Sequence, residues 1–118
     1  MYIIPAIDIL DGKVVRLREG DYNQKTEYDV SIEEMIERYR SNGTDFIHII
    51  DLNGEKGDFS NQKSFFEIIK KTEMRVQYGG GIRTIDQVTN LLDSGIHRVI
   101  VGTQAISNPD FLPELSKA

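Results

Sequence analysis

The chain has 118 residues, a net charge of −5, 39% hydrophobic and 28% charged residues, and no cysteine. That is the composition of an ordinary globular domain, with no basic stretch to neutralise a nucleic-acid backbone and no thiol for disulfides or thiolate catalysis. No apolar run reaches the roughly 18 residues of a membrane span, and no basic segment leads into a long apolar one at the N-terminus. Neither nucleic acid nor membrane is therefore expected as a partner, and a cytoplasmic location is the default.

Tyr2–Ile7 is the first apolar β-rich run and Val14–Leu17 a short second one, with the turn-like Asp11-Gly12 between them. The segment Arg18–Tyr28 is polar and without a clear period. It reads either as a loop that closes over a ligand or as an idle surface loop. Ser31 with Glu34 fits a capping box, and Ile32, Met35, Ile36 and Tyr39 then fall on one helical face, with Gly43 as the stop. Phe46–Leu52 is nearly continuous in apolar character, which suits a parallel strand covered on both faces. A helix follows from about Asn61 to Lys71, with Phe65, Phe66, Ile68 and Ile69 as its buried side. Met74–Tyr78 is the next strand. Thr84 with Gln87 repeats the capping pattern, Ile85, Val88, Leu91 and Leu92 form the stripe, and Gly95 ends the helix. Arg98–Val101 is the last strand, and Asn108-Pro109 opens a final helix with Phe111, Leu112 and Leu115 turned inward. Strands and helices alternate as βαβαβαβα within a single domain, residues 1–118. Two architectures fit: a small open doubly wound sheet, or the (β/α)4 half of a (β/α)8 barrel, which typically needs about 250 residues.

The strongest chemical signal is Gly79-Gly80-Gly81-Ile82-Arg83-Thr84, between a strand and a helix. Glycines let backbone approach a ligand, amides at a helix start favour an anion, and Arg83 adds a forked cation suited to phosphate. The competing reading is a tight corner and nothing more, although three glycines exceed what a turn needs. Gly102 and Thr103, after the neighbouring strand, can add an amide and a hydroxyl to the same phosphate. Asp8 closes an apolar run at the end where parallel α/β folds bind ligands. There, partial burial would raise its pKa as a general base requires; capping of the Asp11-Gly12 turn fits equally well. Asp51 has the same position and the same ambiguity, and Ile7-Asp8-Ile9 is faintly echoed by Ile50-Asp51-Leu52. His48 lies mid-strand, where a satisfied core histidine is favoured over a catalytic one. Arg16 follows Asp8 in the short second strand, with a solvated charge as its alternative.

Taken together, PAIDILDGKVVRL, the loop with TEY, FIHIIDLNGEKG, YGGGIRT and VIVGTQA resemble the HisA family, the phosphoribosylformimino-aminoimidazole-carboxamide ribotide isomerases of histidine biosynthesis. The resemblance covers essentially the whole chain. It implies a (β/α)8 barrel of two similar halves, this chain supplying the N-terminal one, and an Amadori rearrangement of an aminoaldose to an aminoketose on a substrate with a phosphate at each end. It implies Asp8 as the general base at the sugar C2′, Arg16 as a substrate contact, and Gly79, Gly80, Gly81, Arg83, Gly102 and Thr103 as phosphate ligands. It places the general acid, a second aspartate, on a fifth strand beyond Ala118. No metal or organic cofactor is implied.

Three alternatives stand beside the isomerase: the cyclase subunit of imidazole glycerol phosphate synthase, against which Val15-Arg16-Leu17 and Thr26-Glu27-Tyr28 weigh; a bifunctional relative that also isomerises phosphoribosylanthranilate; and a non-catalytic, self-associating phosphate-binding module. Half a barrel has two sheet edges, expected here at the strand ending near Asp8 and the strand ending near Val101. Their expected partner is a second copy, first strand against fourth, or a C-terminal half-barrel.

Overall fold

Ile7, Ile9, Ile47, Ile49, Val76 and Tyr78 occupy alternate positions in three strands, and none is more than 2% exposed. Because side chains alternate across a strand, these residues make one apolar face, and Ile36, Phe65 and Leu91 cover it from three helices. The computed structural model describes residues 4–18 and 21–102. Its elements are β1 (Ala6–Leu10), β2 (Lys13–Arg18), β3 (Asp21–Glu27), α1 (Ile32–Ser41), β4 (Phe46–Asp51), α2 (Leu52–Glu55), α3 (Asn61–Lys71), β5 (Arg75–Gly79), α4 (Ile85–Asp93) and β6 (Arg98–Ile100).

The sheet order is β3-β2-β1-β4-β5-β6. The pairs β1–β4, β4–β5 and β5–β6 are parallel, and each connection between them carries at least one helix. Four adjacent parallel strands in chain order, with helices on one face, form the wall of a half-barrel. A doubly wound sheet would instead reverse its strand order and carry helices on both faces.

The helices start where their caps dictate. The Ser31 hydroxyl accepts from the Glu34 backbone N–H at the head of α1. Thr84 and Gln87 complete a reciprocal box at α4, an arrangement whose cap alone contributes about 1 kcal/mol. Gly43 and Gly95 follow α1 and α4 with φ of 89° and 101°, a backbone region that favours glycine. The expected stripes are buried in α1 and α3, with Met35, Tyr39, Phe66 and Ile68 partly covered. In α4 the stripe is narrower than expected. Val88 and Leu91 are buried, whereas Leu92 is 46% exposed.

Two expectations fail. The polar segment after Arg18 is not a loop: residues 21–27 pair antiparallel with β2, Val15 opposite Glu27 and Leu17 opposite Lys25. Lys13 and Lys25 both form ion pairs with Glu27, at 3.3 and 3.2 Å. An edge strand lies in water and gains its order from the backbone ladder, so it needs no apolar alternation, and its charges guard the open edge. Nor is the edge of β1 bare. Asp8, Ile9 and Leu10 pair with Val15, Val14 and Lys13 of β2, which leaves β3 and β6 as the outermost strands. The first strand also runs further than Ile7, because Ile9 and Leu10 continue its alternation into the hairpin. The helix expected from Asn108-Pro109 lies outside the described residues.

Candidate functional site

The glycine run is shaped by what it packs against. Asp51 ends β4 and caps the single turn of α2, its Oδ1 accepting from the Gly54 N–H at 3.1 Å. Gly80 and Gly81 then cross this turn with φ of 129° and 71°. A side chain on Gly80 would collide with the Asp51 carbonyl, and one on Gly81 with the Gly54 carbonyl. Gly79 is the last residue of β5 and lies against Ile100 of β6. The corner is therefore a backbone-on-backbone contact that only glycine permits.

That contact leaves an open cleft of about 370 Å³ lined by Glu55, Gly80, Gly81, Ile82, Arg83, Ile100 and Gly102. Arg83 is exposed, and its Nη2 reaches the Glu55 carbonyl at 3.4 Å. One sequence expectation changes here. The amides of Arg83 and Thr84 do not point at an empty anion site; both donate to Gln87 Oε1, at 2.7 and 3.0 Å. The capping side chain thus sits where a helix-bound anion would, so the groups left to an anion are the Gly80–Ile82 backbone, Gly102 and the Arg83 guanidinium. Thr103 lies outside the described residues.

Asp8 and Asp51 share a tripeptide pattern but face opposite ways. Asp8 stands opposite Ile50, and Ile9 opposite Asp51, so Asp51 is on the helix-covered face and Asp8 on the inner one. Asp51 is fully buried and satisfied by Gly54, by Asn61 Nδ2 at 2.9 Å and by the Tyr78 hydroxyl at 2.5 Å. It is a structural hub with no access for a substrate. Asp8 is half-buried. Burial pushes its carboxyl above the ordinary value, repulsion from Glu55 adds to this, and His48 opposes it. His48 is in turn pushed down by burial, with Asp8 pulling the other way, and its Nδ1 lies 3.0 Å from Gln77 Nε2. It is hydrogen-bonded, as expected, but it is half-buried on the inner face with Asp8 and not in the core, and it shapes the field at Asp8. A second cleft of about 370 Å³ is lined by Ala6, Ile7, Asp8, Val14, Val15, Arg16, Tyr28, Met35 and Tyr39. Since Asp8 stands opposite Val15, the next residue, Arg16, faces the α1 side of the sheet with Val14, not the inner face that carries the Asp8 carboxyl.

The two clefts share no lining residue. Glu55 links them: it lines the glycine cleft and acts electrostatically on Asp8. Sequence reasoning passed over Glu55, and also Asn53, Asn61 and Tyr78. The available signal was Asp51-Leu52-Asn53-Gly54 itself, since a carboxylate at a strand end followed three residues on by glycine fits a helix N-cap. Among the described residues, no group of three His, Asp or Glu side chains converges to hold a metal ion. No described helix is long and apolar enough to cross a membrane.

Residues 2–118 match the histidine biosynthesis protein family, and the chain belongs to it. It is 45% identical over 116 residues to a protein of Carboxydothermus hydrogenoformans, covering 98% of this chain and 48% of that one. It is 44% identical over 118 residues to one of Prochlorococcus marinus, covering 99% and 46%. With one of Shewanella piezotolerans the identity is 40% over 111 residues, covering 93% and 45%. All three are named as an imidazole-4-carboxamide isomerase whose substrate name carries two phosphoribosyl groups. The chain spans a little under half the length of these curated relatives.

Proposed function

We propose that this member of the histidine biosynthesis family is the N-terminal half-barrel domain of an aldose–ketose isomerase acting on a doubly phosphorylated aminoimidazole carboxamide ribotide. The observation that carries the reading is Asp8, a half-buried carboxylate on the inner face whose pKa is raised by burial and by Glu55. A general base works best when its pKa lies closer to the operating pH than that of a free carboxylate.

In this reading Asp8 takes the proton from the sugar C2′ once the ring has opened to an imine. The electrons left behind form the C1′–C2′ double bond of the enolaminol as the protonated imine nitrogen regains its pair. Protonation of C1′ with loss of the 2′-hydroxyl proton then gives the aminoketose. Arg16 faces the α1 side of the sheet, so its role as a substrate contact rests on the family resemblance and not on this geometry. Gly80, Gly81, Arg83, Gly102 and Thr103 hold one terminal phosphate, and Gly79 lets β5 close against β6 beside them. The general acid that protonates the ring oxygen comes from outside these 118 residues, as does the second phosphate grip. The source of both is a C-terminal half-barrel. The relatives' names favour this isomerase over the cyclase.

A second reading, a self-associating phosphate-binding module, is favoured by Ile100 alone. This β6 residue is 44% exposed on the outermost parallel strand. Pairing would then proceed through β6, because β2 occupies much of the edge of β1.

Titration with inorganic phosphate, followed by backbone amide shifts, tests the phosphate site. The amides of Gly80, Gly81 and Gly102 should move together. Arg83→Ala should weaken binding by about 1.5–3 kcal/mol, the range for hydrogen bonds to charged groups. Motionless glycine amides while others shift would place the site elsewhere.

A further inference from the structure

Asn53 takes no part in the chemistry assigned to Asp8 or to the glycine loop, yet it is 7% exposed and its carboxamide is fully used. Its Oδ1 accepts from the Asp11 backbone N–H at 2.7 Å and from Asn61 Nδ2 at 2.8 Å. Its Nδ2 donates to Asp11 Oδ1 at 2.8 Å and to Asp58 Oδ2 at 3.3 Å. The bonds continue past Asn53. Asn61 Nδ2 also donates to Asp51 Oδ1, Asp51 Oδ2 accepts from Tyr78, and the Asp51 and Gly54 carbonyls seat Gly80 and Gly81. A hydrogen-bonded path therefore joins the β1–β2 turn to Asp51 and Tyr78, and the glycine loop packs on its end.

Asp11 and Gly12, with φ of 52° and 77°, make the two-residue Asp-Gly turn that hairpins favour. The turn therefore forms locally, and what it lacks by itself is a fixed place against the rest of the fold. Asn53, 42 residues from Asp11, grips both the backbone and the side chain of that residue. Asp8 and Arg16 lie on the two strands that meet at this turn.

We propose that Asn53 is a positioning residue that fixes the β1–β2 hairpin, and with it Asp8 and Arg16, relative to the phosphate-gripping glycine loop. The proposal rests on the isomerase reading. A ligand anchored by its phosphate presents its reacting carbon at a set distance, and a base must stand within hydrogen-bond reach of it; a misplacement of about 1 Å can lower a rate ~10²-fold. Asparagine suits the task because it both accepts and donates. A carboxylate at position 53 would lose both donations and face the carboxylates of Asp11 and Asp58.

The test uses Asn53→Ala in the 118-residue chain, with inorganic phosphate as the probe and two further readouts: carboxyl titration of Asp8 and amide exchange of Asp11. The charged groups that act on Asp8 are Glu55 and His48, while Arg16, Tyr28 and Tyr39 line the neighbouring cleft on the α1 side. Phosphate affinity at Gly81 and Gly102 should stay within about twofold of the parent, because Asp51, Asn61 and Tyr78 remain. Asp8 should titrate closer to an ordinary carboxylate, and Asp11 amide exchange should quicken about tenfold or more. A folded variant whose Asp8 titration and Asp11 exchange match the parent overturns the proposal.

Should Asn53→Ala not fold, the pair Asn53→Asp and Asp11→Asn/Asn53→Asp decides. The double change lets carboxamide and carboxylate trade places, so it should recover most of the parent's Asp8 titration where the single change does not. Equal behaviour of the two would overturn the proposal. The parent chain separates the two ideas: silent glycine amides there defeat the phosphate reading, while the Asp8 and Asp11 readouts still judge Asn53.

Discussion

Tyr78 donates its hydroxyl to Asp51 Oδ2 at 2.5 Å, and neither side chain is exposed to solvent. The bond joins β5 to the end of β4 beneath the glycine loop, and the Tyr78 ring packs on Phe65 of α3 with centroids 5.5 Å apart. Burial, reinforced by the bond to Asp51, pushes the Tyr78 hydroxyl well above its ordinary pKa, so it remains a donor at any working pH. Tyr78→Phe keeps the ring but leaves a buried carboxylate oxygen short of its donor. It should lower stability by about 1–3 kcal/mol, measured by urea unfolding.

The glycines of the run separate from an ordinary cap glycine. Gly81→Ala meets both a positive φ and the Gly54 backbone, so it should lose at least about 3 kcal/mol and the phosphate response with it. Gly43→Ala meets only the positive φ, with nothing within 4 Å, and should lose about 1–2 kcal/mol. Parallel denaturation curves of the two variants check this.

Asp8 carries a pH signature. Its folded pKa is raised, so the folded chain holds this proton more tightly than the unfolded one does. The stability from that proton is fully present below the ordinary carboxylate range, near pH 4, and is lost as pH rises through the folded value. Asp8→Asn cannot ionise. It should be more stable than the parent at pH 7, with the difference vanishing below about pH 4, in unfolding midpoints measured across pH.

Much of this was legible in the sequence because it depended on neighbours along the chain. Residues 61–71 read as a helix and are one. The Ser31 and Thr84 caps depend on residues three positions away, and the Phe46 strand announced itself by continuous apolar character. Edge strand β3 left no such trace, since Asn23, Lys25, Thr26 and Glu27 are all exposed. Asp51 was ambiguous because the donors that settle its role, Asn61 and Tyr78, lie 10 and 27 residues off. Its resemblance to Asp8 misled for a simpler reason: a one-residue offset between parallel strands puts equivalent-looking side chains on opposite faces.

The role proposed for Asp8 is the base of an isomerase assembled from two half-barrels. The most direct measurement joins this chain in frame to the C-terminal half of the Carboxydothermus hydrogenoformans relative and follows conversion of the doubly phosphorylated aminoaldose to its aminoketose. The joined protein should turn over while the 118-residue chain alone does not, because an absent general acid forfeits ~10²–10⁴-fold and the second phosphate grip is lost with it. Asp8→Asn should reduce turnover by a comparable factor, ~10²-fold or more. Turnover by the joined protein that survives Asp8→Asn unchanged would contradict that role for Asp8.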